Sequence, residues 1–156
     1  MARIEHYHDP DAPPAQRIVV AVTAFVPNDA GELLLIRRSD NDLWALPGGA
    51  QDIGETIAQT VVRETLEESG ITVEVAGLIG IYSDPNHVIE YSDGETRQQF
   101  SICFRARPVA GQPTPSDEST DVRWIPRDQL DALPIHPSMR LRIDHGYQHR
   151  AEPYIG

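Results

Sequence analysis

Residues 49–71 read Gly49-Ala-Gln-Asp-Ile-Gly-Glu55-Thr-Ile-Ala-Gln-Thr-Val-Val-Arg63-Glu64-Thr-Leu-Glu67-Glu68-Ser-Gly70-Ile71, and the fold is decided here. Ala58, Val61, Val62, Thr65 and Leu66 recur at i, i+3, i+4, i+7 and i+8. That is the period of a helix with one buried face, so a helix is predicted over residues 56–69. Gly70 follows at the position where a left-handed residue closes a helix. The same segment carries Glu64, Glu67 and Glu68 at i, i+3 and i+4. At about 100° per residue they share one flank, beside the apolar face. Carboxylates packed this closely repel one another. A hard divalent cation, Mg²⁺ or Mn²⁺, offsets that repulsion, because oxygen-only clusters suit these ions. Arg63 stands beside Glu64 and one turn before Glu67, where it can orient a carboxylate. A solvated helix face with an Arg63–Glu67 pair would explain the same residues without a ligand. The lead-in favours a site: Pro47-Gly48-Gly49 precedes the helix, and glycine lets backbone approach a ligand closely. Gly48 and Gly49 are therefore candidate substrate-binding positions, and Glu55, just before the helix, is a supporting carboxylate.

Outward from this stretch the chain is strand-rich. Ile18–Val26 is β-branched and predicts a strand, and Leu33–Ile36 a second one. The turn cluster Pro27–Gly31 between them suggests a hairpin. Trp44–Leu46 is a brief extended piece. Val73–Tyr82 predicts a strand broken by Gly77 and Gly80, and His87–Tyr91 is expected to pair with Arg97–Arg105 across Ser92-Asp93-Gly94. Val122–Ile125 is a further strand, Pro126 opens a short helix to about Leu133, and Ser138–His145 is a last helix. This order is α+β and not a regular βαβ alternation. Residues 1–16, with Pro10, Pro13 and Pro14, read as an extended N-terminal arm without a core of its own, and 17–156 as a single domain.

Composition narrows the chemistry. The 156 residues hold 24 acidic and 13 basic side chains, for a formal charge of −11. All the basic residues are arginine, which excludes a lysine nucleophile, a Schiff base and a lysine-bearing phosphate loop. The negative balance argues against binding a nucleic-acid backbone by bulk charge. An acidic chain can still take phosphates when divalent cations lie between the two sets of negative charge. Cys103, the one cysteine, sits in the apolar run Phe100–Phe104 and reads as a buried strand thiol. The N-terminus has no apolar leader and no stretch is long enough to cross a bilayer, so a cytoplasmic chain without membrane partners is expected. The six histidines show no metal-site spacing and are expected on the surface.

The stretch 49–71 resembles the box of the Nudix hydrolases, G-x5-E-x7-R-E-U-x-E-E-x-G-U with U bulky and apolar. Gly49, Glu55, Arg63, Glu64, Glu67, Glu68, Gly70 and Ile71 match it; Thr65 stands at the first U. The lead-in Trp44–Gly48 and the segment Val122–Pro126 also look like the family, so the resemblance spans about residues 18–135. It implies a Nudix α/β/α sandwich with a mixed sheet. It implies metal-dependent hydrolysis of a diphosphate linked to another moiety, usually a nucleoside. In this reading Glu64, Glu67 and Glu68 hold the metals, Glu55 supports them, and Arg63 holds a carboxylate in place. Glu68 is the first choice for the general base. Glu118 is its rival, since many members supply a further ligand or base from this loop.

Substrate choice lies outside the box. Pro85 falls close to where a proline marks many ADP-ribose pyrophosphatases, which leans the reading to ADP-ribose or a similar nucleoside diphosphate derivative. A nucleoside triphosphate is the alternative, and a non-catalytic nucleotide-binding regulator is a further one, although such proteins usually lose box glutamates. Ser83–Arg97, with Asn86, His87, Tyr91 and Arg97, is expected to form part of the substrate pocket. The competing reading is an exposed hairpin, or one through which two copies form a homodimer.

Overall fold

Four consecutive residues, Leu33, Leu34, Leu35 and Ile36, open strand β3 (Leu33–Arg38), and all are fully buried. A strand covered on both faces needs an unbroken apolar run, and successive side chains point to opposite sides. Leu34 and Ile36 accordingly join one core with Val22, Val61 and Val122, while Leu33 and Leu35 join a second with Phe25, Ile79 and Ile143. The computed structural model describes residues 3–156.

Two sheets lie between two helices. In the larger one, β2 (Arg17–Phe25) runs parallel to β8 (Thr96–Gly111), and β5 (Gly48–Ala50) is antiparallel on the other edge of β2. On its far edge β8 pairs antiparallel with β6 (Ile71–Tyr82) and β7 (His87–Tyr91). The short β10 (Tyr154–Ile155) runs parallel to β6. The smaller sheet sets β3 between β4 (Trp44–Ala45) and β9 (Ser119–Ile125), all antiparallel. Helix α1 (Ile57–Ser69) supplies Val61 to the first core and α2 (Pro137–Gln148) supplies Ile143 to the second. The result is an α+β sandwich on a mixed sheet, as the sequence predicts.

Local signals set both ends of α1, and the closing glycine is the one the sequence predicts. Thr56 caps it in a reciprocal box with Gln59, and Gly70 closes it at φ 76°. The buried stripe differs from the apolar periodicity. Ala58 and Leu66 are exposed, whereas Thr60, Thr65, Glu68 and Ser69 are buried. The helix is rolled toward its polar flank because those groups find partners. Thr65 Oγ1 donates to the Val61 carbonyl, and Ser69 Oγ to that of Thr65.

Two further expectations are corrected. β2 and β3 meet at the Pro27–Leu33 bridge but then diverge into different sheets, so they form no regular hairpin. Residues 3–7 of the expected arm form an edge strand, β1 (Arg3–Tyr7), antiparallel along β7. Its side chains meet the domain through Glu5, whose carboxylate lies 3.1 Å from His136 Nε2 and 4.0 Å from His87 Nε2. Of the histidines expected outside, His87 and His145 are buried.

Gly146 brings α2 against the sheet: a Cβ there would overlap the ring of Phe25, itself buried under Tyr147. Gly146→Ala is expected to lower stability by about 1–3 kcal/mol through overpacking. Gly77→Ala, with open space around it, is expected to stay within about 0.5 kcal/mol. Denaturant midpoints of the two variants check this.

Candidate active site

The site begins with a close approach. A Cβ on Gly48 would overlap the Val22 carbonyl oxygen, and one on Gly49 would overlap the Glu64 carboxylate. Only glycine lets β5 lie against both β2 and α1. The two glycines were expected to give a ligand access to backbone; they admit the helix carboxylates to it, and both also line the cavity beside the cluster. The Gly48 N–H donates to Glu68 Oε1 at 2.7 Å.

Glu68 is 3 % exposed. Burial raises its carboxyl to about 8, against the pull of the Gly48 N–H and the Arg38 charge. Burial also raises Glu64, opposed by Arg63. Glu55 goes the other way, held at about 2 first of all by hydrogen bonds from Arg63. Arg63 grips it with both prongs, Nε to Oε2 at 2.6 Å and Nη2 to Oε1 at 2.9 Å. Its Nη1 reaches Glu64 at 2.8 Å and Glu67 at 3.2 Å. Arg63 therefore holds three carboxylates and does not line the cavity.

Glu118 is brought in by the start of β9. Ser119 Oγ donates to the Glu68 carbonyl at 2.5 Å, and the Ser39 N–H to the Glu118 carbonyl at 3.1 Å. Glu64, Glu68 and Glu118 then each offer an oxygen within 4.8 Å of the others. Glu67, grouped with them in the sequence reading, lies outside this cluster, with its side chain 58 % exposed and turned to Arg63. Three hard oxygen donors, two of them with their charge disfavoured by burial, fit a small divalent cation. The fit rests on the donor set and names no particular ion.

The cluster forms one side of a cavity of about 290 Å³. Arg3, Arg38 and Arg97 also line it, as do Gly48, Gly49 and Tyr91. Arg97 stacks on Tyr91 at 4.5 Å and pairs with Glu95 at 2.9 Å. Of the segment Ser83–Arg97, then, Tyr91 and Arg97 reach the cavity, while His87 is buried. Pro85 does not line it. Sequence reasoning missed Arg3 and the pair Arg38–Asp40, held by two hydrogen bonds of 2.9 and 2.7 Å. Arg37-Arg38 at the end of an apolar strand was a signal for the pair. Arg3 had none, since its place depends on β1 pairing with β7.

A family model described as the NUDIX domain matches residues 17–145. A MutT-like protein of Streptomyces ambofaciens is 40 % identical over 71 % of this chain and 66 % of its own length. An ADP-ribose pyrophosphatase of Methanocaldococcus jannaschii is 33 % identical over 73 % of this chain and 65 % of its own. The chain thus spans slightly less than two thirds of these two relatives. A nucleoside triphosphatase NudI of an Enterobacter species is 30 % identical over 81 % of this chain and 93 % of its own. Among solved structures, a NUDIX hydrolase from Nitrosomonas europaea superposes with TM-score 0.73 at 23 % identity, over 99 % of this chain and 93 % of that one.

The raised Glu68 carboxyl makes stability depend on pH. The folded state keeps this proton after the unfolded state has lost it, so the associated stability is full below the ordinary carboxylate range and is lost as pH rises through about 8. In EDTA, unfolding free energy is expected to fall by about 1 kcal/mol between pH 7 and 9, and Glu68→Gln to flatten that slope. Chemical denaturation at several pH values reads both.

Proposed function

The chain belongs to the Nudix family, and on that premise we propose that it hydrolyses the diphosphate of a nucleoside diphosphate carrying a further group, using divalent cations. One observation carries this reading: Glu64, Glu68 and Glu118 converge on one side of a cavity that Arg3, Arg38 and Arg97 also line. Mg²⁺ or Mn²⁺ at the carboxylates would neutralise phosphate charge and lower the pKa of a bound water. Arg97, fixed by Glu95 and Tyr91, meets the part of the substrate away from the carboxylates. Glu55 and Arg63 keep Glu64 in place.

Both Glu68 and Glu118 are candidates for the general base. A base must reach the attacking water directly. Glu68 is buried and already accepts the Gly48 N–H, which suits a cation ligand. Glu118 is exposed, and its carboxylate has no hydrogen-bond partner among the described residues, so we assign it the proton. The intact set of box carboxylates supports turnover over a regulator that only holds nucleotide. The substrate lean to ADP-ribose rested on Pro85, which is not at the cavity; relatives named for ADP-ribose and for nucleoside triphosphates leave both within the proposed class. No described helix is long and apolar enough to cross a membrane. The proposal retains a cytoplasmic enzyme of small nucleotides, with a homodimer through the β7–β8 hairpin as the alternative use of that segment.

Release of product from nucleoside diphosphate derivatives is expected to require Mg²⁺ or Mn²⁺ and to stop in excess EDTA. Glu118→Gln is expected to lower kcat by roughly a hundredfold or more with little change in KM. Glu68→Gln should lower it comparably and also raise the metal concentration needed. A near-normal Glu118→Gln beside an inactive Glu68→Gln would move the base to Glu68. Arg97→Ala is expected to raise KM, with the metal requirement unchanged; steady-state kinetics at varied metal separate these outcomes.

A further inference from the structure

Glu5, His87 and His136 come from three places, β1, β7 and the residue before α2, so no spacing along the chain could announce them together. The fold brings one oxygen of the carboxylate and one nitrogen of each ring within 4.8 Å of one another. Glu5 Oε2 lies 3.1 Å from His136 Nε2 and 4.0 Å from His87 Nε2. Around a tetrahedral zinc with bonds of about 2.1 Å, neighbouring donors stand about 3.4 Å apart, so this set closes on an ion with small shifts. His87 makes the demand strongest. It is 3 % exposed, and its Nε2 is buried without a hydrogen-bond partner. Buried polar groups are otherwise nearly always paired, so this nitrogen asks for a ligand. Glu5 is prepared for the same ligand: Arg3 Nη2 holds Oε1 at 3.0 Å and leaves Oε2 to the two rings.

His136 has the outer contact that orients a ligating imidazole. Its Nδ1 lies 2.8 Å from Ser138 Oγ and 3.2 Å from Ser138 N. Without a metal, Nδ1 accepts from that N–H and the ring proton sits on Nε2, facing Glu5. With a metal on Nε2 the proton belongs on Nδ1, where it donates to the Ser138 hydroxyl. The donor types select the ion. Two imidazoles and a carboxylate suit zinc and its transition-metal neighbours, whereas Mg²⁺ prefers an all-oxygen set such as Glu64, Glu68 and Glu118. The two clusters share no residue, and none of Glu5, His87 and His136 lines the cavity of the carboxylates. Three protein donors leave one tetrahedral position to water. Thr23 Oγ1, Ser101 Oγ and Arg142 Nε are also buried without partners, and their residues line the same cavity of about 80 Å³ as the three donors, where they can donate to water.

We propose that Glu5, His87 and His136 form a second metal site, for a divalent ion of the zinc kind, which fastens β1 to β7 and to the start of α2. The ion holds in place the strand that carries Arg3, and the site does not depend on the hydrolase reading.

Calorimetric titration of the chelator-treated full chain with ZnCl₂, in excess Mg²⁺ to occupy the carboxylate cluster, reads the site. One tight equivalent of zinc is expected, and Glu118→Gln should retain it. His87→Gln and Glu5→Gln should weaken it by at least the roughly ten- to hundredfold typical of losing an outer partner of a metal, and Ser138→Ala by about tenfold. Glu5 stands on an edge strand outside the matched domain, so Glu5→Gln carries the test should His87→Gln fail to fold. Zinc is expected to raise the Tm of the unaltered chain and to slow amide exchange in β1, with neither effect in Glu5→Gln. Nitrogen NMR of the imidazoles should show His136 passing from the Nε2–H to the Nδ1–H form as zinc binds. Absence of tight zinc binding in excess Mg²⁺, binding left unchanged by both His87→Gln and Glu5→Gln, or binding abolished by Glu118→Gln would overturn the site. Every readout is taken without a nucleotide, so it stands apart from success or failure of the hydrolase reading.

Discussion

The hydrogen bond from the Gly48 N–H to the buried Glu68 carboxylate is the contact on which the rest of this structure turns. It fixes the roll of α1, because a carboxyl inside the protein must have a donor. It fixes the approach of β5, because no side chain fits between Gly48 and Val22 or between Gly49 and Glu64. Those two consequences together put Glu64 and Glu68 on the same side of the cavity.

Burial divides the glutamates of one helix and its lead-in into distinct chemical types. Glu55, gripped by Arg63, is a fixed anion. Glu68 and Glu64 are disfavoured as anions where they stand, and so they fit a cation. Glu67 is a surface partner of Arg63. The types differ by environment alone, since the side chains are identical. An acidic chain without lysine can offer a phosphate site in this way: arginines hold carboxylates in position, and the carboxylates gather the positive charge.

The N-terminal strand extends this logic beyond the matched domain, which begins at residue 17. β1 brings Arg3 to the cavity wall and Glu5 to a pair of stacked imidazoles, His87 and His136, with ring centroids 5.3 Å apart. β7 and the start of α2 thereby share a polar interior with β1.

By itself the sequence determined whatever depends on neighbours along the chain. The helix over residues 56–69 with its closing glycine, the strands expected at Ile18–Val26, Leu33–Ile36, Val73–Tyr82, His87–Tyr91 and Val122–Ile125, and the buried Cys103 follow from periodicity and turn chemistry, which are local. The box carboxylates were legible for the same reason, their spacing being set by one helix. Tertiary structure alone decided which of them meet. Periodicity put Leu66 inside and left Glu68 on the flank; the glycine contact with β5 reversed this. Glu67 was separated from the cluster and Glu118 joined to it through Ser119, 51 residues from Glu68. The parting of β2 from β3, the pairing of β1, and the meeting of Arg3, His87 and Arg142 at one cavity are likewise long-range. Such contacts depend on how far faces rotate and which edges pair, and no local pattern of residues encodes either.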